Sequence, residues 1–284
     1  MEILNGKALS AEIKNKIKLQ VQEDFVSKNK PVPTLACMIV GENPASQIYV
    51  ASKEKACATV GFNSVVVRLP ENSSEEEVIE EINKLNNDEK ISAILLQLPL
   101  PNGLDERKII SHISPEKDAD GLTDVSLGRL FAKTYSVAPC TAMGIIDLIK
   151  SSGLDISGKR AVVIGRSLLV GKSVAVLLEE HNATVTVCHS RTQNLEEITK
   201  TADILVVAIG KPKYVTAEMV KAGAVVIDVG INRIDGKILG DVDYENVSPK
   251  CSYITPVPGG VGPMTIAELL SNTLTLHKLK TKGE

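Results

Sequence analysis

The chain of 284 residues has no tryptophan, three phenylalanines and five tyrosines. So few rings leave no row of stacking platforms for single-stranded nucleic acid, and the core has to be built from Val, Ile, Leu and Ala. Positive charge is not in excess either. Thirty-two Lys and Arg against 35 Asp and Glu give a formal net charge of -3, which excludes the basic face that a phosphate backbone demands. Cysteine is sparse and irregular: Cys37, Cys57, Cys140, Cys188 and Cys251 are odd in number, far apart and without a C-x-x-C pair. Neither a disulfide framework nor a metal site is expected, and small buried thiols in a reducing compartment are. No apolar run approaches the ~18 residues of a membrane helix. The N-terminal MEILNGKALSAEIKNKIK has no signal-peptide core. A cytoplasmic protein with no nucleic-acid or membrane partner is expected.

What is present is an ordinary globular composition, 43% hydrophobic and 24% charged. The length suits two domains. Leu9, Ile13, Ile17 and Val21 form the stripe of an amphipathic helix, and Thr34 to Val40 reads as a buried strand. A helix from about Ala45 to Val60, the strand NSVVVRL, the acidic-start helix SSEEEVIEEINKL and the strand ISAILLQL follow. A second series starts at Arg160: RAVVIG, a helix to His181, ATVTVCHS, a short helix, DILVVAIG, a further helix and AVVIDVGIN. Continuous apolar strands joined by helices suit parallel sheets covered on both faces, and the second series has the pattern of a doubly wound sheet. The expected fold is therefore α/β with two domains. An N-terminal α/β domain covers residues 1–138 and a Rossmann-like domain 139–264, with a last helix at about 265–279 returning to pack on the first.

Within the second series, Gly165 and Gly171 bracket the loop GRSLLVG between a strand and a helix. Backbone N–H groups and the helix dipole at such a turn suit a pyrophosphate, although a tight turn with one capping Ser accounts for the same residues. The next strand ends in Cys188-His189-Ser190-Arg191, where an NAD-selective fold commonly offers an acid. With Arg166, the donors Ser190 and Arg191 suit an adenosine 2′-phosphate, which points to NADP; solvated surface charges are the alternative.

In the first series Tyr49 and Lys53 share one helix face, either as functional groups or as an amphipathic edge. Gln97 interrupts an apolar strand just before Pro99 and Pro101, so its amide either bonds neighbouring backbone or points from a strand end into a ligand site. Asp118 and Asp120 precede Gly121 in a loop, suited either to a ligand N–H pair or to an ordinary Asx turn. TPVPGGVGPMT packs Gly and Pro ahead of a helix, either as turn chemistry alone or, given a length beyond that of a simple connection, as a fixed loop that a ligand can approach closely. From these residues alone, an NADP-dependent dehydrogenase of a small hydroxy or keto acid and a non-catalytic dinucleotide sensor both stay open.

Taken together, YVASK, QLPLP, KDADG, PCTAMG, GRSLLVGK, VIDVGIN, GDVD and TPVPGGVGPMT resemble, in order over nearly the whole chain, the bifunctional methylenetetrahydrofolate dehydrogenase/methenyltetrahydrofolate cyclohydrolase family. The resemblance implies a catalytic N-terminal domain, a C-terminal NADP domain, a cleft between them and a homodimer built through the nucleotide domains. It implies a bifunctional NADP enzyme of one-carbon metabolism, acting on tetrahydrofolates and supplying purine biosynthesis. Carried across, it makes Lys53 the catalytic amine, Tyr49 the stacking ring, Gln97 the partner of Lys53 and Asp120 the pterin anchor. Gly165, Arg166, Ser167, Ser190 and Ile231 would contact NADP, while Leu98, Pro258, Gly259, Gly260 and Val261 would border the folate. Two departures, Ala142 and Ser173, stand where the family usually has Pro. Of the two implied reactions, hydride transfer needs no general base, whereas adding water to the methenyl cation and opening the ring do need proton transfer, for which Lys53 is the expected agent.

Overall fold

The computed structural model describes residues 1–282. The chain opens with a short strand β1 (Glu2–Ile3) and helix α1 (Gly6–Asp24), then alternates through β2 (Thr34–Val40), α2 (Pro44–Val60), β3 (Asn63–Leu69), α3 (Glu75–Asn87) and β4 (Ala93–Leu96). Two short helices, α4 (Glu106–Ile110) and α5 (Asp124–Phe131), lead to α6 (Cys140–Ser151). A second alternation runs β5 (Arg160–Ile164), α7 (Ser173–Glu180), β6 (Thr184–Cys188), α8 (Leu195–Thr199), β7 (Ile204–Val207) and β8 (Val225–Asp228). The hairpin β9 (Asn232–Ile234) and β10 (Lys237–Leu239), helix α9 (Tyr244–Val247), strand β11 (Tyr253–Ile254) and long helix α10 (Val261–Lys282) complete it.

The chain divides into two compact units. One comprises Glu12–Ala138 and the chain from Leu269 onward, the other Met1–Ala11 and Pro139–Glu268. In the first, β2 lies between β3 and β4 in a parallel three-stranded sheet, and every residue of β2 is buried. That burial is why its seven residues are an unbroken apolar run opened by Thr34 rather than an alternating one. Met38, Ile82, Ile94 and Ile109 are packed into one core beneath the sheet. A capping box starts α3: Ser74 accepts from the Glu77 N–H, and the Glu77 carboxylate accepts from the Ser74 N–H. His277 on α10 is fixed between the Ser92 hydroxyl at 2.9 Å and the Pro31 carbonyl at 3.1 Å.

In the second unit a six-stranded sheet runs in the order β1-β11-β8-β7-β5-β6, with all pairs parallel. Strand β1 pairs with β11 as one edge of this sheet, so residues 1–11 group with the second unit and not with the first, as the sequence reading had them. A two-residue strand carries no periodicity from which that could be read. Another correction concerns the helix expected between β7 and β8, where only a three-residue turn, Ala217–Met219, forms. Val215 is drawn into an extended bridge with Val242, which competes with helix over the same residues. On α10, Glu268 is buried and hydrogen-bonded to Asp147 of α6; burial first, and then the neighbouring carboxylate, push its carboxyl up to about 8. No helix among the described residues is long and apolar enough to cross a membrane.

Candidate active site

In the first unit, chemistry collects at the C-terminal edge of the sheet, where parallel strands commonly present ligands with loops and helix starts. Helix α2 leaves β2 through Gly41 and is capped by Asn43, whose side chain accepts from the Ala45 and Ser46 N–H groups. Tyr49, 40% exposed, and Lys53, half-buried, lie on one face one turn apart. Strand β4 is prolonged by the Gln97 N–H, which donates to the Met38 carbonyl at 2.8 Å, so the Gln97 side chain sits at a fixed place just past the strand. Its Oε1 accepts from Lys53 Nζ at 2.9 Å and its Nε2 donates to the Leu98 carbonyl at 2.6 Å. Of the two alternatives for Gln97, the amide nitrogen meets the first by bonding neighbouring backbone, while the amide oxygen accepts from an amine. An uncharged acceptor orients that amine without adding a charge beside it.

Residues Lys117, Asp118 and Asp120 separate in role. The backbone of 117–119 runs beside β4 through a bridge between Ile94 and Asp118. Lys117 turns its ammonium onto the Leu85, Asn86 and Asp88 carbonyls at 2.7–2.9 Å, closing the C-terminal end of α3. Burial, and then the charge of Lys280, lower its pKa from the ordinary lysine value. Asp118, 2% exposed, accepts from the Thr123 N–H at 2.8 Å, ahead of α5. Asp120 keeps a partly exposed carboxylate beyond the bridge. The buried thiol of Cys37 registers the convergence of this cluster. Burial pushes it up to about 11, while the charge of Lys53 pulls it down and those of Glu54 and Asp120 push it up.

In the second unit, Gly165 ends β5 with φ +123°, and a Cβ there would overlap the Ala208 carbonyl. A Cβ on Gly171 would overlap the Gly165 carbonyl in turn, so the two glycines of the motif permit one close backbone crossing. Ser167 caps the following turn through the Val170 N–H at 3.3 Å. Ser173, where the family's Pro was expected, ties its hydroxyl to the Leu168 carbonyl at 2.6 Å and so closes the same turn with a hydrogen bond. Past the ends of β5, β6 and β7 lies a cavity of about 290 Å³ whose lining includes Gly165, Arg166, His189, Ser190, Lys211 and Tyr214.

Two buried carboxylates brace this edge. Asp228 accepts from the Gly230, Asp241 and Val242 N–H groups at 2.8–3.0 Å; burial pushes its carboxyl up to about 6 against the pull of those donors. Asp241 accepts from the Ile209 and Gly210 N–H groups at 2.8 and 2.9 Å and from the Asn232 amide at 2.9 Å. Side chains at Gly230 and Gly240 would overlap these carboxylates, which explains VIDVGIN and GDVD as framework.

Of the residues singled out in the sequence, Lys53 and Gln97 are joined directly, and Gly165, Arg166 and Ser190 line one cavity. Ser167, Arg191 and Ile231 are exposed and outside that lining. Pro258 to Val261 belong to the second unit, where the Gly259 carbonyl accepts from the Lys7 N–H at 3.0 Å and Val261 starts α10. Lys211 and Tyr214 were missed by the sequence reading. The only available signal was the cation and ring in KPKY just after an apolar strand.

A family model described as tetrahydrofolate dehydrogenase/cyclohydrolase, catalytic domain, matches residues 4–120, and its NAD(P)-binding counterpart matches residues 139–281. The chain is 54% identical over 282 residues to the bifunctional protein FolD of Acetivibrio thermocellus, covering 99% of this chain and 98% of that one. Its fold matches the bifunctional FolD methylenetetrahydrofolate dehydrogenase/cyclohydrolase of Campylobacter jejuni with a TM-score of 0.95 at 47% identity, covering 98% and 99% of the two chains. It also matches the Trypanosoma brucei enzyme, solved with NADP and an inhibitor, with a TM-score of 0.93 at 39% identity and coverages of 98% and 97%. The motifs and both units agree, and the chain belongs to the tetrahydrofolate dehydrogenase/cyclohydrolase family.

Proposed function

We propose that this chain oxidises 5,10-methylenetetrahydrofolate to the 5,10-methenyl form and hydrolyses that product to 10-formyltetrahydrofolate, with Lys53 moving the protons of the second step. The hydrogen bond from Lys53 to Gln97 carries the reading, because it fixes an amine against a neutral acceptor at the C-terminal edge of a rigid sheet. The glycine crossing and the Arg166, Ser190 and Lys211 donors of the second unit suit NADP, which supplies the hydride acceptor when bound. Tyr49 offers an exposed ring to a flat pterin, and Asp120 offers a carboxylate to its N–H donors. Water adds to the electron-poor methenyl carbon as Lys53 takes one of its protons, giving a neutral carbinolamine. Lys53 returns a proton to the ring nitrogen, and as that C–N bond breaks the hydroxyl proton leaves to solvent and the formyl C=O forms. Gln97 keeps the amine aimed throughout.

The same reading takes the enzyme as a cytoplasmic homodimer formed through the second unit and feeding purine biosynthesis. The five free cysteines suit a reducing compartment, and Ile231 and Ile234 expose apolar surface around the β9–β10 hairpin. Mixing methylenetetrahydrofolate with NADP and following the methenyl absorbance, first rising and then decaying, tests the function. A nucleotide that binds without any methenyl signal would show a sensor instead.

A further inference from the structure

The cavity past β5, β6 and β7 contains a cation that the sequence motifs did not point to and lacks one that they did. Arg166 and Lys211 both line it, and among the described residues neither makes an ion pair. Arg191 does not line it, for a local reason. Residues His189 to Thr192 form a turn closed by the Thr192 N–H on the His189 carbonyl at 2.9 Å and by the His189 N–H on the Thr192 hydroxyl at 2.8 Å. The Arg191 N–H is spent on His189 Nδ1 at 3.1 Å. Successive central residues of a turn point in different directions, so Ser190 faces the cavity and Arg191 the solvent.

Lys211, by contrast, is held in place. The residues before it are pinned by the Asp241 carboxylate through the Ile209 and Gly210 N–H groups, and Lys213 N–H donates to the Gly240 carbonyl at 3.0 Å. Its ammonium stands 5.5 Å from the centre of the Tyr214 ring, which orders the stem while leaving the N–H donors for an anion. A phosphate dianion is best held by two cations on fixed supports, one of them a guanidinium.

We propose that Lys211 is a specificity-determining residue which, with Arg166 and Ser190, recognises the nucleotide's 2′-phosphate, and that Arg191 takes no part. This rests on the reading of the cavity as the NADP site. The test is calorimetric titration of the purified enzyme with 2′,5′-ADP and with 5′-AMP, in the parent and in Lys211→Ala, Lys211→Arg, Arg166→Ala and Arg191→Ala. Lys211→Ala and Arg166→Ala are each expected to weaken 2′,5′-ADP roughly tenfold or more while leaving 5′-AMP within about twofold. Lys211→Arg restores binding and Arg191→Ala changes little. Retained 5′-AMP binding shows that the pocket is still folded. Selective loss in Arg166→Ala but not in Lys211→Ala, equal loss of both nucleotides in Lys211→Ala, or selective loss in Arg191→Ala overturns the proposal. A parent enzyme that does not distinguish the two nucleotides overturns instead the NADP reading on which it rests.

Discussion

The two units build their sites from different materials. In the first, the candidate groups are side chains: Tyr49 and Lys53 on a helix, Gln97 past a strand, Asp120 in a loop, each carried by a hydrogen-bonded framework. In the second, the site is chiefly a backbone shape. Glycines at 165 and 171 let one loop cross another, and the buried Asp228 and Asp241 serve as acceptors that fix the surrounding N–H groups. The same residue type therefore plays opposite parts. Asp120 keeps a partly exposed carboxylate, whereas Asp241 is fully buried and satisfied from within.

The largest effect that would sharpen this contrast is in Lys53→Met. Cyclohydrolase turnover is expected to fall on the order of 10²–10⁴-fold with measurable dehydrogenase activity retained, while Tyr49→Ala lowers both reactions. Separate assays of methenyl formation and methenyl decay decide it, and an intact decay rate in Lys53→Met would assign the proton to another group.

Asp120→Asn comes next. A carboxylate that binds ground state and transition state alike gives a loss shared by both reactions, roughly 10- to 100-fold in each kcat/KM, and weaker folate binding. Unchanged folate affinity would remove Asp120 from the site.

Gly171→Ala probes the backbone-built side. Its new methyl group meets the Gly165 carbonyl, so unfolding free energy should drop by about 1–3 kcal/mol, whereas Lys53→Met should leave the denaturation midpoint almost where it was. Equal midpoints for Gly171→Ala and its parent would mean that the crossing has slack.

The effect smallest per pH unit is a stability slope set by Glu268. Its carboxyl is raised to about 8 in the folded chain by burial and then by Asp147, so between the ordinary carboxylate range and pH 8 the folded state holds a proton that the unfolded state has lost. Stability from this group is fully present in acid and declines as pH rises, by at most about 1.4 kcal/mol per unit, levelling off above pH 8. Glu268→Gln should flatten that decline and exceed its parent in melting temperature above pH 8. Parallel pH profiles of the two proteins would show that no proton is shared there.

Much of the fold was legible because it is written in local pattern. Thr34–Val40 and Asn63–Leu69 are strands over the residues read as strands, each an apolar or β-branched run bounded by turn residues. Helix α2 starts at Pro44, one residue from the expected place, because Asn43 and Pro44 form a readable start signal. Strands β1 and β11, of two residues each, were not legible, nor was the β9–β10 hairpin, since segments so short have no period. The helix expected before β8 failed for a different reason: a pairing between Val215 and Val242, distant in sequence, overrode local propensity.

By itself, the sequence determined the α/β class, the two strand series and the presence of Lys53, Gln97, Gly165 and Arg166 in motifs that set their backbone surroundings. Those features depend on residues near one another along the chain. Only the tertiary structure decided that Lys53 bonds Gln97, 44 positions further along the chain, that Lys117 and Asp118 are framework while Asp120 keeps a partly exposed carboxylate, and that Lys211 rather than Arg191 lines the cavity past β5, β6 and β7. Each of these depends on which way a side chain points once separate strands are brought side by side. That direction is fixed by register and burial between distant segments, which no local pattern encodes.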